Sequence, residues 1–92
     1  MKPTHFNKEK NELIKKTRKI SFKDIIRAIN NNKVIRVINH PNKKKFPNQK
    51  MYLIHINDYI YTVPYVDTKE EIFLKTIYKS RKYTKKYLQF NK

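Results

Sequence analysis

The 92-residue chain has no cysteine, no glycine and no tryptophan, and only seven acidic residues. Without cysteine there is no disulfide framework and no cysteine-type zinc site. Without glycine there is no Gly-rich loop to cradle a nucleotide phosphate. No His or acid pair has metal-ligand spacing, so neither a metal nor another cofactor is expected, and no serine-hydrolase signature is present. No run approaches the roughly 18 apolar residues of a membrane span. Met1 to Arg18 is polar and lacks the apolar centre of a signal peptide. These absences point to a soluble, cytoplasmic protein with no membrane partner.

Positive charge is abundant. Twenty-three Lys and Arg against seven Asp and Glu give +16. The richness in Lys, Asn, Ile and Tyr also fits an AT-rich genome, so part of that charge is discounted. The remainder still implies a polyanionic partner. Two stretches, Arg27 to Ile56 and Phe73 to Lys92, contain no acid at all.

Ninety-two residues make one domain with a modest core. Thr4 or Asn7 caps a first helix over Lys8 to Arg18. Ser21, with Asp24 three residues on, caps a second. Its stripe of Phe22, Ile25, Ile26 and Ile29 has helical spacing, and the Asn run at 30–32 ends it. "VIRVIN" (34–39) is a strand and "HPNKKKFPNQ" (40–49) a loop. "MYLIHI" and "YIYTVPYV" form a hairpin about Asn57-Asp58. The expected register pairs Ile56 with Tyr59, Ile54 with Tyr61, Tyr52 with Val63 and His55 with Ile60. Pro64 marks a bulge, an edge or a strand end. "IFLKTIYK" is the last strand, and a final helix runs from about Arg81 to Phe90. The fold class is α+β: two N-terminal helices, a four-stranded antiparallel meander and a C-terminal helix.

Chemistry concentrates in two places. "KSRK" (79–82) stands where a strand becomes a helix, and a helix start offers free amide donors to an anion. Arg81 adds a planar fork suited to phosphate, flanked by Lys79 and Lys82. A regular strand would turn Lys75 to the same side as Ile77 and Lys79. The competing view is a solvated basic helix end, with Arg81 paired to a carboxylate. With so few acids in the chain, anion binding is favoured. The second place is the loop with Lys43, Lys44 and Lys45, beside His40, a proton-transfer candidate near a strand end. A lone loop histidine with no role is the commoner case. His55 lies inside a strand and His5 in a frayed N-terminal segment. Most of the seven tyrosines fit half-buried packing; Tyr87, one turn after Tyr83, is the one assigned a functional role.

"FNKEKNELIKKTRKISFKDIIRAI" resembles the opening of the BrnT family of bacterial toxins. "SRKYTKKYL" is similar to the Ser-x-Arg-Lys-x-Thr-Lys signature that starts the family's last helix. The matching pieces lie in family order over about residues 5 to 88. The resemblance implies a RelE-like ribonuclease fold and the toxin half of a type II toxin–antitoxin pair. Such a toxin cleaves RNA without a metal, sometimes at the ribosome, and so inhibits translation. A cognate antitoxin, usually a ribbon-helix-helix protein, neutralises it, and operator DNA is met only through that antitoxin. Arg81 maps onto the signature, with Ser80 and Lys82 beside it. Where the family carries an arginine on a central strand, this chain has Lys50 and Lys75. The chemistry to be served is deprotonation of a 2′-hydroxyl, stabilisation of the phosphorane charge and protonation of the 5′-oxygen. Arg81 is expected to stabilise charge, with Lys75 or Lys79 assisting. Lys50, His40 and Tyr87 are candidates for proton transfer. Ser80, Lys82, Lys43, Lys44, Lys45 and Lys85 are expected to hold the RNA backbone. The rival reading is a basic module that grips RNA, ribosome or DNA without chemistry.

Overall fold

The computed structural model describes residues 2–88. A short strand comes first, β1 (Thr4–Phe6), followed by helix α1 (Lys8–Arg18). Asn7, not Thr4, caps α1: its side chain accepts the Lys10 N–H at 2.8 Å. Helix α2 (Phe22–Asn30) begins with the expected capping box, in which Ser21 and Asp24 satisfy each other's backbone N–H groups. Buried Asn11 ties the two helices together, its Oδ1 accepting the Phe22 N–H at 2.8 Å. Lys19 makes the corner between them in a left-handed conformation (φ 57°).

Four of the strands that follow are β2 (Val34–Asn39), β3 (Gln49–Ile56), β4 (Tyr59–Asp67) and β5 (Ile72–Leu74). They form the expected antiparallel meander, and the β3–β4 register is the predicted one throughout. Asn57 and Asp58 both have positive φ (51° and 63°), as a two-residue hairpin turn demands. An irregularity in β2 between Val34 and Arg36 shifts its register on β3.

The sheet exceeds a meander in two ways. β1 pairs with β5 in parallel, which makes the sheet mixed and places His5 in a strand, 3.7 Å from Glu71, instead of in a frayed end. The predicted last strand is also broken. Its second part is a two-residue strand, β6 (Tyr78–Lys79), which returns to pair with β4 at Tyr61 and Thr62. Between β5 and β6, Thr76 and Ile77 are buried while Lys75 is exposed. Lys75, Ile77 and Lys79 therefore do not share a side. Pro64 lies inside β4, not at an end. Counting from the turn, Pro64 sits opposite Met51 at a position that needs no donor toward β3. Its ring nitrogen faces the gap between β5 and β6, and its carbonyl accepts the Lys75 N–H at 2.8 Å.

One face of the sheet carries Ile54, Val63 and Tyr65, which pack with Ile14, Ile20, Phe22 and Ile25 from the α1–α2 layer. Phe6 stacks on Phe22 at 5.0 Å and joins that core. The reverse face buries Met51, Leu53, Ile60 and Thr62. Helix α3 (Arg81–Leu88) lies against β4. Phe90, expected on its apolar face, is outside the described residues. No helix among those residues is long and apolar enough to cross a membrane.

Candidate nucleic-acid interface

The start of α3 is fixed by hydrogen bonds to the hairpin end of β4. Ser80 N–H donates to the Ile60 carbonyl at 2.9 Å. The Thr84 hydroxyl accepts the Ile60 N–H at 2.9 Å and donates to the Ser80 carbonyl. Ser80 Oγ accepts the Tyr83 N–H at 3.1 Å, and Thr84 N–H returns to the Ser80 carbonyl. The Ser80 oxygen thus caps the helix by accepting, which leaves its O–H as a donor for a phosphate. Arg81 and Lys82 occupy the first turn, both exposed, and neither forms an ion pair among the described residues. Their amides are the helix's outward donors.

Further along α3, Tyr83 and Tyr87 stack at 6.3 Å, half-buried. Lys82 and Lys86 lie over those rings at 5.4 and 5.6 Å, while Lys85 is exposed. Tyr87 is therefore part of a packed aromatic stripe.

The other predicted residues are elsewhere. Lys79 pairs with Tyr61 in the ladder, and its ammonium sits 4.5 Å from the centre of the Tyr59 ring. Lys75 lies further down the sheet, opposite Pro64, about 10 Å from Lys79 along β4. It packs beside Phe73 and lines a shallow depression with Lys10 and Leu13 of α1. His40, Lys43, Lys44, Lys45 and Lys50 gather at the opposite end of the sheet. Lys50 stands six positions before Ile56 on β3, a span of about 20 Å. The loop there holds itself in shape. His40 packs against Phe46 with ring centres 4.5 Å apart and tilted by 40°, its Nδ1 accepts the Asn42 N–H, and Asn42 Oδ1 accepts the Lys45 N–H. With Nδ1 accepting, Nε2 carries the ring N–H and is a hydrogen-bond donor. One phosphate cannot touch both Arg81 and His40.

Sequence reasoning missed a groove at the Arg81 end of the sheet. Thr17, Arg18 and Lys19 form one wall; Tyr61, Tyr78 and Lys79 form the other, around ≈ 470 Å³. The guanidinium of Arg18 donates to the Ile77 carbonyl and lies 5.6 Å over the Tyr78 ring. A second compartment of ≈ 680 Å³ shares Lys19 and Tyr61 and extends to Arg27, Lys33 and His55. The "TRK" at the end of α1 was visible in the sequence. Its meeting with Tyr61 and Tyr78 depends on long-range pairing that no local pattern carries.

Two tyrosines, buried Tyr65 and half-buried Tyr52, have displaced titrations. Tyr52 and Tyr65 stack at 4.2 Å between the helices and the sheet. Burial, then the charges of Tyr52 and Asp67, push the Tyr65 hydroxyl up to about 12. Burial and then Asp67 raise Tyr52 as well. Among the described residues no cluster of His, Asp and Glu could hold a metal. Compared with models of protein families, with curated proteins and with solved structures, the chain finds no match in any of the three.

Proposed function

We propose that this chain is an RNA-cleaving toxin of the BrnT type, RelE-like in fold and neutralised by a cognate antitoxin. The observation that carries the reading is the arrangement at Arg81. The signature residue opens α3 with its side chain exposed, and its backbone is tied at Ser80 and Thr84 to the end of β4. A guanidinium carried by an anchored helix start suits a charge that develops only in the transition state. The α+β class is what supports a RelE-like reading, and the acid-free surfaces favour a polyanion.

The chemistry is attack of the 2′-oxygen on the adjacent phosphorus, which releases the 5′-oxygen and leaves a 2′,3′-cyclic phosphate. Arg81 stabilises the phosphorane oxygens, with Lys82 beside it. Lys79, two residues before Arg81 and over the Tyr59 ring, is the candidate amine for proton transfer at this end of the sheet. His40 and Lys50 lie too far away for the same phosphate, so they and Lys43 to Lys45 serve RNA backbone binding instead. An acidic antitoxin segment would cover the Lys43–Lys45 loop or the Arg81 helix end, where charge complementarity speeds association and fixes register.

The test is controlled expression in a bacterial host, with growth and RNA integrity as readouts. The wild-type chain should arrest growth and fragment RNA, and the co-expressed antitoxin should restore both. Arg81→Ala should do neither while remaining folded. A wild-type chain that is well expressed and harmless would contradict the toxin reading and leave the non-catalytic RNA-gripping module.

A further inference from the structure

The groove between the end of α1 and strand β6 enters the reading above only through Lys79. Three cations and two aromatic rings line it together with Thr17, and no carboxylate does. Tyr78 is 50 % exposed, although it belongs to a strand beside a buried core. Arg18 lies over its ring and is held there by the Ile77 carbonyl, so the guanidinium is oriented before any ligand arrives. Lys19 projects from the corner residue of the α1–α2 turn, whose left-handed backbone is fixed by its N–H donating to the Lys15 carbonyl at 3.1 Å.

We propose that this groove is a nucleotide subsite. One base of a single-stranded RNA stacks on the face of the exposed Tyr78 ring that Arg18 leaves open, and the flanking phosphates are held by Lys19, Arg18 and Lys79. The inference rests on the RNA reading and deepens it. Stacking on an aromatic ring within a basic groove is how single-stranded nucleic acid is held without sequence preference. The volume suits one nucleotide, and pockets that hold small ligands begin at about 300 Å³. Lys79 joins the subsite to the α3 end, so a strand leaving the groove passes Arg81. An acidic peptide would use the same cations but would gain little from the exposed ring.

The experiment uses the full chain and two probes: a 2′-O-methyl uridylate tetramer, which cannot be cleaved, and an abasic 2′-O-methyl tetramer of equal charge. The wild type should bind the base-bearing tetramer about tenfold more tightly, the scale of one stacking contact. Tyr78→Ala should erase that preference, and Tyr78→Phe should keep it. Lys19→Asn, whose residue tolerates the left-handed corner, should weaken both probes equally. Should Tyr78→Ala lower the melting temperature, amide shifts at Lys19 and Tyr61 in the wild type supply the second readout. Equal binding of the two probes by the wild type, or an unchanged preference in a folded Tyr78→Ala, overturns the subsite. If Arg81-dependent cleavage persists in that case, the toxin reading stands without it. Failure of the wild type to bind either probe overturns the RNA reading and the subsite together.

Discussion

The Thr84 hydroxyl serves two elements at once. It satisfies the Ile60 N–H of β4 and donates to the Ser80 carbonyl at the head of α3. Thr84→Val keeps the shape and strands a part-buried donor, which costs about 1–3 kcal/mol. A melting temperature several degrees lower is expected, with Thr84→Ser close to wild type. RNA cleavage should fall further than the loss of folded protein explains, because Arg81 loses its mounting. The tyrosine pair gives a pH prediction with a defined sign. An unfolded Tyr titrates near 10, while folded Tyr65 holds its proton to about 12, chiefly through burial. The folded state therefore binds more protons between those values. The stability Tyr65 contributes is fully present below pH ~10 and is lost as the pH rises toward ~12. The informative quantity is the difference between wild type and Tyr65→Phe. The wild-type melting temperature should fall more steeply from pH 9.5 to 11.5; parallel curves would refute the assignment.

At the scale of elements, the hairpin and α2 were the most legible. Alternating apolar residues about Asn57-Asp58 admit one register, because a slip of one residue would turn Ile54 and Val63 away from the helices. Ser21 and Asp24 announce α2 in the sequence alone. Asp58→Gly should stabilise the turn by ~0.5 kcal/mol, since its φ of 63° strains a residue with a Cβ more than glycine's added chain entropy costs. A midpoint shift in urea unfolding measures it, and a destabilised variant would mean the Asp58 side chain holds the turn. β1 was not legible. Three residues carry no period, and its partner Ile72 is 68 positions away, so only the folded chain reveals the parallel pairing. The break between β5 and β6 was hidden for a related reason. "IFLKTIYK" is uniformly strand-favouring, yet Pro64 on β4 has no N–H to offer the segment beside it. That single residue separates Lys75 from Lys79, and the expected single-sided row of lysines disappears with it. The candidate site was half legible for this reason. The Arg81 helix end lies within one continuous stretch, whereas the groove at Tyr78 joins residues from α1, β4 and β6.

Across the whole molecule, the charge is unevenly spread. Asp67, Glu70 and Glu71 gather at the β4–β5 turn, where Lys2 and His5 meet them. The long β2–β3 loop and α3 carry cations alone. That asymmetry predicts binding to single-stranded RNA with strong salt dependence. With four to six phosphates neutralised, log affinity should fall against log salt with a slope of about −3 to −4. Lys43→Ala and Lys85→Ala should each lower that slope by about 0.7 and leave turnover intact. The division between gripping and cutting is the central claim, and single-turnover cleavage tests it most directly. Saturating wild type, Arg81→Ala and Arg81→Lys would be compared on single-stranded RNA in chelator, alone and in a translating extract. The account predicts metal-independent cutting to a 2′,3′-cyclic phosphate by the wild type in at least one of the two settings. Both variants should lose about 10² to 10³ in rate while binding RNA almost as well, because a lysine cannot supply two parallel hydrogen bonds to phosphate. Cleavage at the wild-type rate by folded Arg81→Ala would contradict it.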